Sequence, residues 1–116
     1  MQNFGFTETD WKLFRKLLPD WQERYMEKLI EEYKDLLATD ELASQKFWSL
    51  EKRIKRDKKD TGVLAQDVSR SNMKFLMMEL INEGAITEAD LEGFSGEYKD
   101  LMIFYCRREG NFERKQ

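Results

Sequence analysis

PDWQERYMEKLIEEYKDLLA, residues 19–38, decides the fold class. Trp21, Tyr25, Leu29, Tyr33 and Leu37 recur every four residues, and Met26, Ile30 and Leu36 widen the stripe. That spacing is the apolar face of an amphipathic helix. Pro19 heads the stretch. Its locked φ suits the first turn of a helix, and its missing N–H makes it a poor interior residue. A helix is therefore expected to begin at Pro19, and the one before it to stop near Leu17.

Upstream, FTETDW (residues 6–11) has a helix start: Thr7 as cap, Asp10 three residues on to bond back, and Phe6 with Trp11 at the spacing of a hydrophobic staple. Downstream, TDE at residues 39–41 offers a turn, so the next helix folds back antiparallel. Ala43, Phe47, Leu50 and Ile54 share one face of that third helix, which Thr61 and Gly62 end. A fourth helix is expected over about 63–82. Its second half, MKFLMMELI, is apolar nearly all round, which places it at the centre of a bundle. ITEADL (residues 86–91) repeats the opening chemistry, and a last helix spans about 97–108. At an offset of 80, Phe14 matches Phe94 and Tyr25 matches Tyr105; either an internal repeat or shared capping chemistry produces that. The expectation is an all-α, compact bundle of five to six helices around a central apolar helix. Residues 1–110 form its single domain, and 111–116 a frayed tail.

Composition narrows the function classes. Net charge is −3 over 116 residues, so no global field draws the chain to nucleic acid or anionic lipid. The longest apolar run, LMIFYC at residues 101–106, falls far short of the roughly 20 residues that span a bilayer. The N-terminus lacks the pattern of a signal peptide, and Cys106 is alone, so the expected setting is a reducing cytoplasm with no membrane contact. There is no histidine, which removes the commonest general base and zinc ligand. Cys106 has no base beside it and reads as a buried inert thiol. Glu31 and Asp35 are the densest acid pair, but they stand on a solvated face. No enzyme activity, cofactor or metal is expected. In DVSRSNMKF (residues 67–75), Asn72 falls on the buried arc, and Arg70 is placed to bridge to an acidic helix.

Residues 51–62, EKRIKRDKKDTG, hold six basic side chains between Lys52 and Lys59 against one acid, Asp57. The run lies opposite Phe47, Leu50 and Ile54. It is either a solvated, salt-bridged wall or a docking patch. Glu23, Glu27, Glu31 and Asp35 form an acidic stripe on the preceding helix, with Glu27 expected level with Lys52 and Glu23 with Arg56. Trp48 lies about 100° round from Phe47, off the apolar stripe, and is the candidate exposed anchor. If the run docks, the expected partner is a protein, met by Trp48, Lys52, Lys55, Arg56 and Lys59. The alternative is nucleic acid, bound through the basic helix 52–59.

FTETDWKLFRKLLPDWQERYMEKL, FWSLEKRIKRDKKDTGV, SRSNM and ITEADLEGFS resemble segments of a group of small helical bacterial proteins found in mobile genetic elements. The resemblance covers most of residues 6–95. Some members of that group bear the description "multidrug transporter", which does not suit a chain without a membrane span. The group has no established activity, cofactor or catalytic residue, so no residue role transfers. The resemblance implies an accessory role: regulating transfer of the element, or inhibiting a host defence protein such as a CRISPR nuclease.

Overall fold

The first helix begins where the capping residues place it. Thr7 Oγ1 accepts from the Asp10 N–H at 3.0 Å, and Asp10 Oδ2 accepts from the Thr7 N–H at 3.0 Å. The computed structural model describes residues 5–108. Among these it is all-helical, with α1 (Glu8–Leu37), α2 (Ala43–Asp57), α3 (Met73–Glu83) and α4 (Gly96–Arg108), and short 3-10 turns at Arg70–Asn72 and Glu88–Leu91. The count is four α-helices, where five to six were expected.

Pro19 accounts for part of the difference. α1 passes through it without a break. Proline removes the bond to the carbonyl four residues earlier, that of Arg15. Both Pro19 and Arg15 lie on the exposed side, where water can satisfy that carbonyl. The apolar stripe continues across the site: Trp11, Phe14, Leu18, Trp21, Tyr25 and Leu29 are all buried on one face. Burial of that stripe outweighs one solvated carbonyl.

The segment expected to open the fourth helix is not helical. Residues 63–69 form a loop in which Asp67 has φ +52°, and α3 starts only at Met73. Nor is α3 a central, all-round buried helix. Met73, Leu76, Met77, Leu80 and Ile81 are buried, but Lys74, Phe75 and Asn82 face outward. The core is instead built on the N-terminal half of α1, against α3, α4 and the segment around Leu91 and Phe94. Rings run through it in contact: Trp11 with Phe14, Phe14 with Trp21, Trp21 with Phe94, Phe94 with Tyr98, and Tyr98 with Phe6.

Polar ties lock this body. Asp10, buried, accepts from the Ser95 N–H (2.8 Å) and hydroxyl (2.6 Å) ahead of α4. Arg24 donates to both oxygens of Asp90 and to the Ala85 carbonyl. Arg70 bridges to Glu8 as expected, at 3.0 and 2.6 Å, and stacks over the Trp11 ring. Asn72 is not a core residue; its amide donates to the Asp67 carbonyl in the loop. The segments at an offset of 80 do not share a plan: one lies within continuous α1, the other is a 3-10 turn followed by α4. Gly110 and the tail at 111–116 lie outside the described residues, as does the side chain of Cys106.

The molecule is elongated, 57 × 27 × 19 Å, with a radius of gyration of 16.5 Å. A compact chain of this length would have a radius of about 13 Å. The excess comes from an arm. The C-terminal half of α1 and all of α2 form an antiparallel hairpin that leaves the body, and Asp57 is the only buried residue of α2.

Candidate functional site

Two polar joints fix the arm: the first ties its two helices to each other, and the second ties it to the body. At the first, Asp57 is 3% exposed and accepts from the Tyr33 hydroxyl (2.7 Å), Arg53 Nε (3.3 Å) and Arg56 Nε (3.1 Å). Burial pushes its carboxyl upward, but these donors and the charges of Arg53 and Arg56 more than offset that, leaving it below the ordinary range. Arg53 also donates to Glu32 at 2.6 Å and lies over the Tyr33 ring. Tyr33 is pushed up to about 12, first by burial and then by the Asp57 carboxylate.

The second joint is the turn after α2. Glu83 of α3 accepts from the N–H groups of Thr61 (2.8 Å) and Gly62 (2.9 Å), and Glu79 accepts from the Thr61 hydroxyl (2.5 Å). Burial raises the Glu83 carboxyl; the two N–H bonds lower it, and nearby Asp60 and Glu79 raise it again, with a net upward shift. The Tyr25 hydroxyl donates to Asp60 at 2.6 Å, and the Tyr25 ring lies flush on Gly62. A Cβ on Gly62 would come within 2.4 Å of that ring. The sequence marks Gly62 only as a helix stop; the close approach explains the residue.

These joints settle how the basic run divides. Arg53 and Arg56 belong to the bundle through Asp57 and Glu32. The expected ladder of Glu27 with Lys52 and Glu23 with Arg56 does not form. Tyr25, Leu29 and Tyr33 point toward α2 and the body, so residues two positions away point outward. Glu23, Glu27, Glu31 and Asp35 are all exposed. Glu31 pairs locally with Lys34 at 3.0 Å. Glu31 and Asp35 thus stand on an open outer face. Among the described residues no group of acids and thiols is arranged to hold a metal ion, and no helix is long and apolar enough to cross a membrane.

Lys52, Lys55, Lys58 and Lys59 remain exposed, and none of them makes a described ion pair. At 100° per residue, Trp48, Lys52 and Lys55 fall within about 60° of one another, on the side of α2 turned away from α1. Lys59 continues the line two residues past the helix end. Arg56 lies beside the line, exposed but tethered to Asp57. Trp48 is 63% exposed, its ring edge-on to Phe47 with centroids 4.9 Å apart. The first helix does not cover it. The structure thus brings Trp48, Lys52, Lys55 and Lys59 together and sets Arg56 apart.

A second surface was missed in the sequence. Arg53 and Glu32 meet on one flank of the hairpin. By the same helical geometry Ile30, Leu37 and half-buried Met26 lie on the other flank of α1, and Phe47 and Ile54 on the matching flank of α2. The arm therefore opens one apolar face to solvent. Ile30, Leu37, Phe47 and Ile54 are between 41% and 63% exposed there, with Leu42 exposed at the tip. Ala43, Phe47, Leu50 and Ile54 read as a core stripe. What betrays them is the shortage of residues elsewhere in the chain to cover it, since the body's core is complete without α2. No protein-family profile, curated protein or solved structure matches this chain.

Proposed function

We propose that the protein is a non-enzymatic binding factor whose arm docks on another protein, Trp48 supplying apolar contact and Lys52, Lys55 and Lys59 steering an acidic patch into place. One observation carries this: an exposed tryptophan and three exposed lysines share a single stripe of a protruding helix, and among the described residues no acid pairs with those lysines. Arg56 contributes charge at the edge of the stripe. The resemblance to mobile-element proteins extends the proposal to an accessory factor that inhibits a host defence protein such as a CRISPR nuclease.

Nucleic acid is the second reading, favoured by Trp48 standing in line with the lysines, as stacking sites require. Against it, exposed Glu51 lies on the same helix, one turn from Lys55. At physiological salt the Debye length is about 8 Å, so Glu51 repels phosphates at the stripe, while the α1 acids at the opposite edge of the hairpin are largely screened. A compact acidic patch on a protein avoids that acid.

The test is affinity capture from the host with the intact chain and with Lys52→Glu/Lys55→Glu. The double reversal should leave the thermal melt unchanged and slow association with the captured protein by tenfold or more at low salt, a difference that shrinks as salt rises. Equal capture by both forms refutes the docking stripe. A shift of duplex or single-stranded nucleic acid that weakens steeply with salt, and is lost in the double reversal, moves the function to the second reading.

A further inference from the structure

We propose that the chain forms a two-fold dimer through the apolar face of the arm, the occupant of Ile30, Leu37, Phe47 and Ile54 being the same face of a second copy. Large apolar side chains from two helices open on one side of a protruding hairpin, a patch of the kind that marks an interaction site. Two such hairpins stacked face to face make a four-helix bundle, the smallest arrangement that buries both faces.

Charge selects a second copy and fixes its orientation. The outer edge of α1 is net acidic, with Glu23, Glu27 and Glu31 exposed and Lys34 paired to Glu31; the outer edge of α2 is net basic, with Lys55, Lys58 and Lys59 exposed beside one acid, Glu51. The arm thus has one apolar face between an acidic and a basic edge, and an occupant must present the same three features in reverse order. A second copy does so by symmetry. With the two-fold axis parallel to the helices, α1 of each copy lies over α2 of the other and opposite charges meet at both rims. With the axis across the helices, α1 opposes α1 and α2 opposes α2, setting like charges against each other. The parallel axis is the one that fits. It preserves height along the arm. The internal register, Tyr25 with Asp60 and Tyr33 with Asp57, then brings Lys58 level with the turn between Glu27 and Glu31 of the second copy, where Glu31 already pairs with Lys34 and Glu27 is the acid left to meet it. Trp48 and Lys52 point outward from this bundle, so the inference does not rest on the proposed external partner, whose stripe shares only Lys55 and Lys59 with the basic rim.

The test is sedimentation of the intact chain from low to high micromolar concentration. The expected result is a species of twice 14.0 kDa. Phe47→Asp and Ile30→Asp should each weaken association at least about a hundredfold, because every substitution enters a symmetric interface twice. Both residues are exposed in the single chain, so circular-dichroism melts of the separated chains should change little. Glu27→Lys and Lys58→Glu should each weaken the dimer, and together restore it. A monomer throughout the range, or a dimer indifferent to Phe47→Asp and Ile30→Asp, overturns the interface. Indifference to both charge reversals, or failure of the pair to restore association, overturns the parallel arrangement.

Discussion

Gly62→Ala is the sharpest probe of the joint between arm and body. The added methyl carbon would sit 2.4, 2.8 and 2.9 Å from Cδ2, Cγ and Cε2 of Tyr25. The ring has no room to swing away, because its hydroxyl is bonded to Asp60 and its backbone lies within α1. The turn is equally constrained, with the N–H groups of Thr61 and Gly62 both held by Glu83. Overpacking of this kind costs about 1–3 kcal/mol. At about 2.1 cal/mol/K per residue, the unfolding entropy of a chain this long converts each kcal/mol into about 4 °C, a fall of roughly 4–12 °C in melting temperature. Gly96→Ala is the control: nothing lies within 4 Å of its Cβ position, and it opens α4. It should melt at or slightly above the wild type. In a Tyr25→Leu background, which removes the ring, Gly62→Ala should cost much less. Thermal melts followed by far-ultraviolet circular dichroism decide it. If Gly62→Ala melts with the wild type, or costs as much without the ring as with it, the contact does not hold the joint.

Other expectations follow from the buried carboxylates. Asp10→Ala removes the acceptor of three hydrogen bonds, two of which tie α1 to Ser95 ahead of α4, and should cost about 1–3 kcal/mol in urea titration, with Ser95→Ala costing less. Asp57 sits below its ordinary value of 3.8 in the fold, so its contribution is complete above that pH and lost as pH falls through the folded value. The melting-temperature gap between wild type and Asp57→Asn should therefore narrow in acid below 3.8. Glu83 is raised above its ordinary 4.5, so the folded state takes up its proton first and gains stability as pH falls through that window. The gap between wild type and Glu83→Gln should move the opposite way there, widening as pH drops toward 4.5. A parallel trend in both variants would contradict the two assignments.

Local chemistry was legible where it is self-contained. The cap at Thr7 and Asp10, the antiparallel turn after α1 and the exposure of Trp48 all follow from spacing along a few residues. The misses have distant causes. Pro19 reads as a helix start until the burial of Leu18 and Trp21 on either side carries the helix through it. Residues 63–69 carry no stop signal, yet the turn before them is fixed by Glu83, which lies more than 20 positions on. The acidic stripe and the basic run have matching spacing, but spacing alone does not say that the tyrosines between the acids turn the stripe away from α2. An apolar helix face signals only that something covers it; whether the cover is the same chain depends on how much core the other helices complete.

The unbroken passage of α1 from the body into the arm has a thermodynamic consequence. Its first half is clamped by Trp11, Phe14, Leu18 and Trp21, and its second half is one wall of the arm, with no linker between them. Ordering a flexible connection would cost about 1–2 kcal/mol per residue at the moment of contact. A surface carried on a continuous helix has met that requirement during folding. The arm is presented in its final shape and at a set angle to the body, so contacts along it translate into affinity with little entropic discount.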